Sequence, residues 1–121
     1  MNTVSAVAAQ DPGASRPLDL VHLSKYTLGN RSLESELLGL FRAQAGVYID
    51  RLESAATAKE WKDAAHSLKG SSRGLGAWCL GDISEEAEAI EYDNLGARAT
   101  AIHRIRAAVL TVNVFIDELM A

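Results

Sequence analysis

"TAKEWKDAAHSLKGSSRGLGA", Thr57 to Ala77, is the stretch on which the fold of this chain turns. Its first half looks helical. Its second half places Gly70, Gly74 and Gly76 beside Lys69 and Arg73, the composition of a phosphate-cradling loop. Thr57 and Glu60 form a Thr-x-x-Glu capping box, which predicts a helix starting at Ala58. At about 100° per residue, one face collects Lys59, Lys62, His66, Lys69, Gly70 and Arg73, with Asp63 at its edge. The opposite face collects Trp61, Ala64, Leu68, Ser71 and Leu75, so the apolar side packs inward and His66 points at water. A nucleotide loop needs G-x-x-x-x-G-K-[ST] after a strand, and a dinucleotide loop needs G-x-G-x-x-G between strand and helix. Here the Lys precedes the Gly and the preceding segment is helical, so the loop reading fails on context.

The glycines then need another reason, since each costs roughly 1 kcal/mol against Ala inside a helix. Gly70 lies on the exposed face one turn from His66, where a missing side chain lets another molecule approach the imidazole. Gly74 and Gly76 sit near the expected helix end and read as packing or turn positions.

The flanking sequence extends the helical pattern. No proline follows Pro17, which suits long helices. "LDLVHLSKYTL" predicts a short helix from Asp19, with Leu20, Leu23 and either Tyr26 or Leu28 inward. "GNRSLESELLGLFRAQAGVYIDRLESAA" predicts a long helix capped by Asn30 or Ser32. Its apolar positions are Leu33, Leu37, Leu40, Phe41, Tyr48, Ile49 and Leu52, and Glu34 and Glu36 suit its positive end. "DISEEAEAIEYD" predicts a shorter helix with Ile83, Ala87 and Ile90 on one face, its acids forming a solvated surface. "GARATAIHRIRAAVLTVNVFIDELMA" predicts a long last helix lined by Ile102, Ile105, Val109, Val112, Ile116 and Leu119. The expected fold is all-α: an antiparallel four-helix bundle over residues 18–121 with a short additional N-terminal helix. Residues 1–17, rich in small residues and holding both prolines, read as a flexible lead-in.

Composition bounds the function. The chain has 121 residues, 48% of them hydrophobic and only 6% aromatic, enough for one modest helical core. A net charge of −4 argues against a general nucleic-acid binder. No run of 18 apolar residues occurs, so no membrane-spanning helix is expected. The single cysteine, Cys79, reads as a small buried apolar residue in a reducing compartment.

An exposed imidazole among cations is a nucleophile suited to an anionic group. A phosphoryl group on His66 would gain charge-assisted hydrogen bonds from Lys69. Metal binding is not expected, because Asp63 is the only co-ligand within a turn and Lys69 and Arg73 would repel a cation. His22 and His103 each have a cation three residues on, Lys25 and Arg106. Neither is followed by glycine at the fourth position, where Tyr26 and Ala107 stand.

"AHSLKGSSRGLGA", Ala65 to Ala77, closely resembles the signature of histidine-containing phosphotransfer (HPt) domains, A-H-[ST]-L-K-G-[SA]-[SA]-x-x-[LI]-G-A, at every defined position. The resemblance extends more loosely over about Leu18 to Leu119. "AEAIE" is similar to the family's Leu-Glu pattern on the following helix, with Ala and Ile in place of Leu. Arg73-Gly74 departs from the residues many members carry, which bears on partner choice.

The resemblance implies a carrier in multistep two-component relays. His66 would be phosphorylated, Lys69 would stabilise the phosphoryl group, and Gly70 would give the partner room, with Lys62, Arg73 and Lys59 in the docking surface. The partners would be receiver domains of response regulators or hybrid kinases, which bring their own Mg²⁺, so the chain itself would hold no metal or cofactor. It would be a cytoplasmic monomer and not an autonomous kinase. Two other readings differ in class. An HPt-like helical adaptor would bind a receiver or kinase without carrying phosphate, but would be expected to lose one of His66, Lys69 and Gly70. A histidine-kinase dimerisation domain would follow its His with an acidic residue and an Arg and Pro pattern, which "HSLKGS" lacks.

Overall fold

The structure, a computed structural model, describes residues 16–121. The expected flexible segment 1–17 lies outside the described residues except for its last two. The described residues form five helices and no strand: α1 Leu20–Thr27, α2 Arg31–Ser54, α3 Ala58–Gly74, α4 Trp78–Glu88 and α5 Leu95–Met120.

Four of the five starts have a local cause. Asp19, Asn30, Thr57 and Asn94 each accept a hydrogen bond from a backbone N–H in the first turn of the helix they precede. Asn30 rather than Ser32 therefore caps α2. At α3 the Thr57 side chain accepts from Glu60 N at 3.1 Å, while the Glu60 carboxylate reaches back to Ala56 N at 2.8 Å, one residue beyond the usual box. α4 alone begins without a side-chain cap, after Ala77.

α3 packs on α2 and α4, and α5 packs on α4 and α2, with α1 against α2. The buried stripe of α2 is Leu38, Phe41, Ala45, Ile49 and Leu52, at helical spacing. That of α3 is Trp61, Ala64, Ala65, Leu68 and Ser72; that of α5 is Ala101, Ile105, Val109, Val112 and Ile116. The Trp61 indole N–H donates to the Ala87 carbonyl at 2.8 Å, both groups lying in the core. By length and composition α5 could cross a membrane. In this fold its stripe closes the core, and its Arg104, Arg106 and Asp117 pair with Glu86, Glu53 and Arg42 of neighbouring helices.

Several expectations need correction. Tyr26 and Leu28 are exposed, because the inner side of the short α1 is filled by Leu20, Leu23 and Thr27, and Leu28 lies past the helix in the left-handed region. Leu33 and Leu40 fall off the buried stripe of α2 and are exposed. α4 starts at Trp78, four residues before Asp82, so Cys79 sits on its outer side and is exposed. Leu119, in the last turn of α5, is largely outside the core.

The turn between α3 and α4 places the site. Gly76 adopts φ +85°, a left-handed conformation open to glycine at little cost. Its N–H bonds the Arg73 carbonyl at 3.1 Å and the next N–H, of Ala77, bonds Ser72 O at 2.8 Å. This closes the end of α3 and returns the chain along it as α4.

Candidate functional site

The capped, continuous α3 carries the candidate residues. His66 stands at its middle with a side chain 67% exposed. Its Nδ1 lies 3.0 Å from Oε2 of Glu88, in the last turn of α4. The other carboxylate oxygen, Oε1, lies 2.8 Å from the Lys69 ammonium. One carboxylate therefore bridges imidazole and ammonium. Lys69, read as an outward cation, is only 20% exposed because it lies against Glu88.

The electrostatics follow from this geometry. Hydrogen bonding from Lys69 holds the Glu88 carboxyl below its ordinary value; partial burial opposes this, and the His66 contact assists it. Glu88 is thus the ionised partner of both residues. Among the described residues, no group of three or more His, Cys, Asp or Glu side chains is placed to hold a metal ion.

Gly70 faces open space: a Cβ built there would meet nothing within 4 Å. The same is true of Gly74, so Gly74 is not the packing position expected; its carbonyl instead lies 3.2 Å from His22 Nε2. Gly76 is the packing and turn residue, since a Cβ there would sit 2.9 Å from the Asp19 carbonyl oxygen.

The remaining basic residues are not equivalent. Lys59 pairs with Asp63 at 2.6 Å on the same helix, in full solvent. Lys62 is exposed. Arg73, expected at the docking edge, turns sideways to α4 and binds Asp82 and Glu85 through one terminal nitrogen. Its stem crosses Gly81, where a Cβ would lie 2.7 Å from Arg73 Cγ. The acids of α4 are therefore not merely a solvated face: Asp82 and Glu85 hold Arg73, Glu86 holds Arg104, and Glu88 holds Lys69 and His66.

Beside this surface lies a mostly apolar groove of about 290 Å³. Leu23 and Tyr26 of α1, Leu37, Leu40 and Phe41 of α2, and Gly74 and Leu75 at the end of α3 line it. Tyr26 and Leu40, apolar yet uncovered, form part of its walls.

The sequence reading missed Glu88. It lies 22 positions from His66 in the chain. No local period links them; the only signal was its place in "AEAIE". The contact exists because the Leu75–Ala77 turn lays α4 back along α3.

A family model described as "Hpt domain" matches residues 36–118, more than half of the chain. No curated protein and no solved structure matches.

Proposed function

The chain belongs to the Hpt domain family, whose members carry phosphoryl groups within two-component phosphorelays rather than acting as kinases, and on that premise we propose that His66 is the residue phosphorylated here. The observation that carries this reading is the exposed His66 ring with Lys69 one turn away and open space over Gly70.

A receiver-domain aspartyl phosphate, from a response regulator or hybrid kinase, meets the outward nitrogen of the ring, Nε2. Phosphoryl transfer passes through a loose transition state, so positioning and charge neutralisation do most of the work. Lys69 supplies a cation beside the transferred group. The receiver brings the Mg²⁺ and its own lysine, so this chain contributes half of the transfer site and no cofactor. Gly70 leaves room for the receiver, and Lys62 and Lys59 lie at its edge. The apolar groove beside Gly74 offers the receiver an uncharged contact.

The same proposal covers the architecture. The pairs Arg42–Asp117 and Glu53–Arg106 run in opposite chain directions on α2 and α5. So do Arg73–Asp82 and Lys69–Glu88 on α3 and α4. This supports an antiparallel bundle of α2 to α5 covered at one end by α1. The domain begins at Leu18, which is fully buried, and continues to the last helix. The protein acts in the cytoplasm between receivers.

The test is incubation with a radiolabelled phospho-receiver. The chain is expected to take up an acid-labile, base-stable label, and His66→Gln is expected to take up none while keeping its helical circular dichroism. Full labelling of that variant overturns the assignment.

A further inference from the structure

α5 is apolar on two sides. Its inner stripe, Ala101, Ile105, Val109, Val112 and Ile116, closes the core. Its outer side carries Ala107, Leu110 and Val114 at helical spacing, all exposed, Leu110 at 64% and Val114 at 48%. Only 28% of its most apolar stretch is buried within the chain, whereas a helix apolar all round belongs in an interior. Two ion pairs show which neighbour borders the outer side. Arg106 and Asp117 reach across to Glu53 and Arg42 of α2. At about 100° per residue, Leu110 stands next to these two on the surface of α5, with His103 and Val114 just beyond it. On α2 the same turn places Gly39, Ala43 and Gly46, all exposed, just outside Arg42 and Glu53. A Cβ at Gly39 or Gly46 would meet nothing within 4 Å. Each of these glycines costs roughly 1 kcal/mol against Ala in a helix, and nothing in its surroundings requires it. α2 and α5 thus border a shallow furrow bridged by the two ion pairs, with small residues on one wall and Leu110 and Val114 on the other.

We propose that this furrow is a self-association surface, on which a second copy of the chain lies with its α5 antiparallel to the first. The face holds both the protrusions, Leu110 and Val114, and the hollows over Gly39, Ala43 and Gly46 that would receive them, as a two-fold contact demands. Charge sets the direction. On α5, Arg98 stacks on Tyr92, and Arg104, Arg106 and Asp117 pair within the chain. Among the described residues this leaves His103 near the start of α5 and Glu118 near its end without an ion-pair partner, with Asp50 of α2 a further acid at the solvated rim. An antiparallel register centred between Leu110 and Thr111 sets His103 against the partner's Glu118 and Ala107 against the partner's Val114. A parallel register would set Glu118 against its own copy. Length is adequate: the 24 residues of α2 and 26 of α5 run about 36 and 39 Å at 1.5 Å per residue. Such an edge suits the small end of specific interfaces, about 1,200 Å² in total, so the dimer is expected to depend on concentration.

The placement is compatible with the site. α2 packs on α3 and α5, and α4 packs on α3 and α5, so the α2–α5 edge lies diagonally across from the α3–α4 edge that carries His66 and Glu88. Pairing through it leaves His66 of both copies facing solvent. The proposal goes beyond the reading of His66 and does not depend on it. The polar exterior of the monomer expected from the sequence is missing along this one edge.

The experiment is sedimentation equilibrium of the full chain from about 1 to 500 µM, a span that brackets micromolar dissociation constants. The native chain is expected to move from one-chain to two-chain mass. Leu110→Glu and Gly46→Leu are expected to keep their helical circular dichroism and to raise the dissociation constant at least about tenfold. At Gly46 an added Cβ has open space within the single chain, so lost association there is an effect on the interface and not on the fold. Direction is read by mixing two chains under mild oxidant, both carrying Cys79→Ala, one with Ala107→Cys and the other with Val114→Cys. The mixed disulfide between positions 107 and 114 is expected to predominate. A native chain that keeps one-chain mass throughout, or a dimer that either variant leaves unchanged, overturns the proposal. So do disulfides that join 107 to 107 and 114 to 114 in preference to the mixed one.

Discussion

Gly76 and Asp19 lock α1 to the α3–α4 turn at van der Waals limit: the Asp19 N–H donates to the Gly76 carbonyl at 2.9 Å, and the Gly76 α-carbon faces the Asp19 backbone so closely that a Cβ would stand 2.9 Å from its oxygen. The contact is to backbone, which cannot swing aside, and the glycine also holds φ +85°. Gly76→Ala is therefore expected to cost roughly 1–3 kcal/mol from the backbone strain alone. Urea unfolding checks this; an unchanged midpoint would show that the junction yields freely.

Asp19 also ties the same junction electrostatically. Its carboxylate accepts from the Trp78 indole N–H at 3.0 Å and from His22 N at 3.1 Å. Those bonds, the Trp78 one foremost, hold its carboxyl below the ordinary value against a small opposing effect of burial. A lowered folded-state value means stability that is present above the ordinary carboxylate range and is lost as pH falls through the depressed value. Trp78 fluorescence is expected to report loosening of α1 on acidification. Asp19→Asn is expected to be less stable at pH 7 and to lose less on going to acid.

Lys69 and Gly70 separate charge from space. Lys69→Ala is expected to slow transfer from a phospho-receiver by roughly 1.5–3 kcal/mol of lost charge-assisted stabilisation. It also frees Glu88, whose carboxyl then titrates closer to its ordinary value. At Gly70→Leu the added Cβ meets no neighbour in this chain, so its thermal midpoint is expected to hold or rise, a helical glycine costing about 1 kcal/mol against Ala. Its transfer rate is expected to fall, because the added side chain stands where the proposed docking puts the receiver. Stopped-flow or gel-based transfer assays beside thermal melts distinguish the two.

Arg73 braces α4 through Asp82 and Glu85, and hydrogen bonding to Glu85 and Asp82 raises its already high pKa. Arg73→Ala is expected to lower the thermal midpoint modestly and to leave transfer within about twofold, since exposed pairs contribute little. A large loss of receiver affinity with unchanged stability would return Arg73 to the docking surface.

Trp61 tests the core. Trp61→Phe removes the buried donor to the Ala87 carbonyl, which keeps only its backbone bond from the Ile90 N–H. The expected cost is about 0.5–1.5 kcal/mol, measured by urea unfolding. A smaller loss would mean that α4 shifts to repair the bond.

Most of the helices were legible in the sequence because their causes are local. Asn30, Thr57 and Asp19 cap the turns that follow them, and the inward spacing of Trp61, Ala64 and Leu68 or of Ile105, Val109, Val112 and Ile116 needs only a 3.6-residue period. The N-terminal turn of α4 was missed because no side chain caps it. Tyr26 and Leu40 were misplaced for a different reason. Periodicity marks apolar positions but does not tell a core from a groove, and the groove is made only when α1, α2 and α3 meet.

The candidate site divides along the same line. By itself the sequence determined that His66, Lys69 and Gly70 share one face of one helix, because three and four residues make a turn. Only the tertiary structure decided what lies behind that face. The return of α4 through Gly76 brings Glu88 to both His66 and Lys69 and takes Arg73 away to Asp82 and Glu85. Those partnerships join residues on different helices. Their distances are set by how two helices pack and where the turn between them bends, which no repeat along the chain encodes.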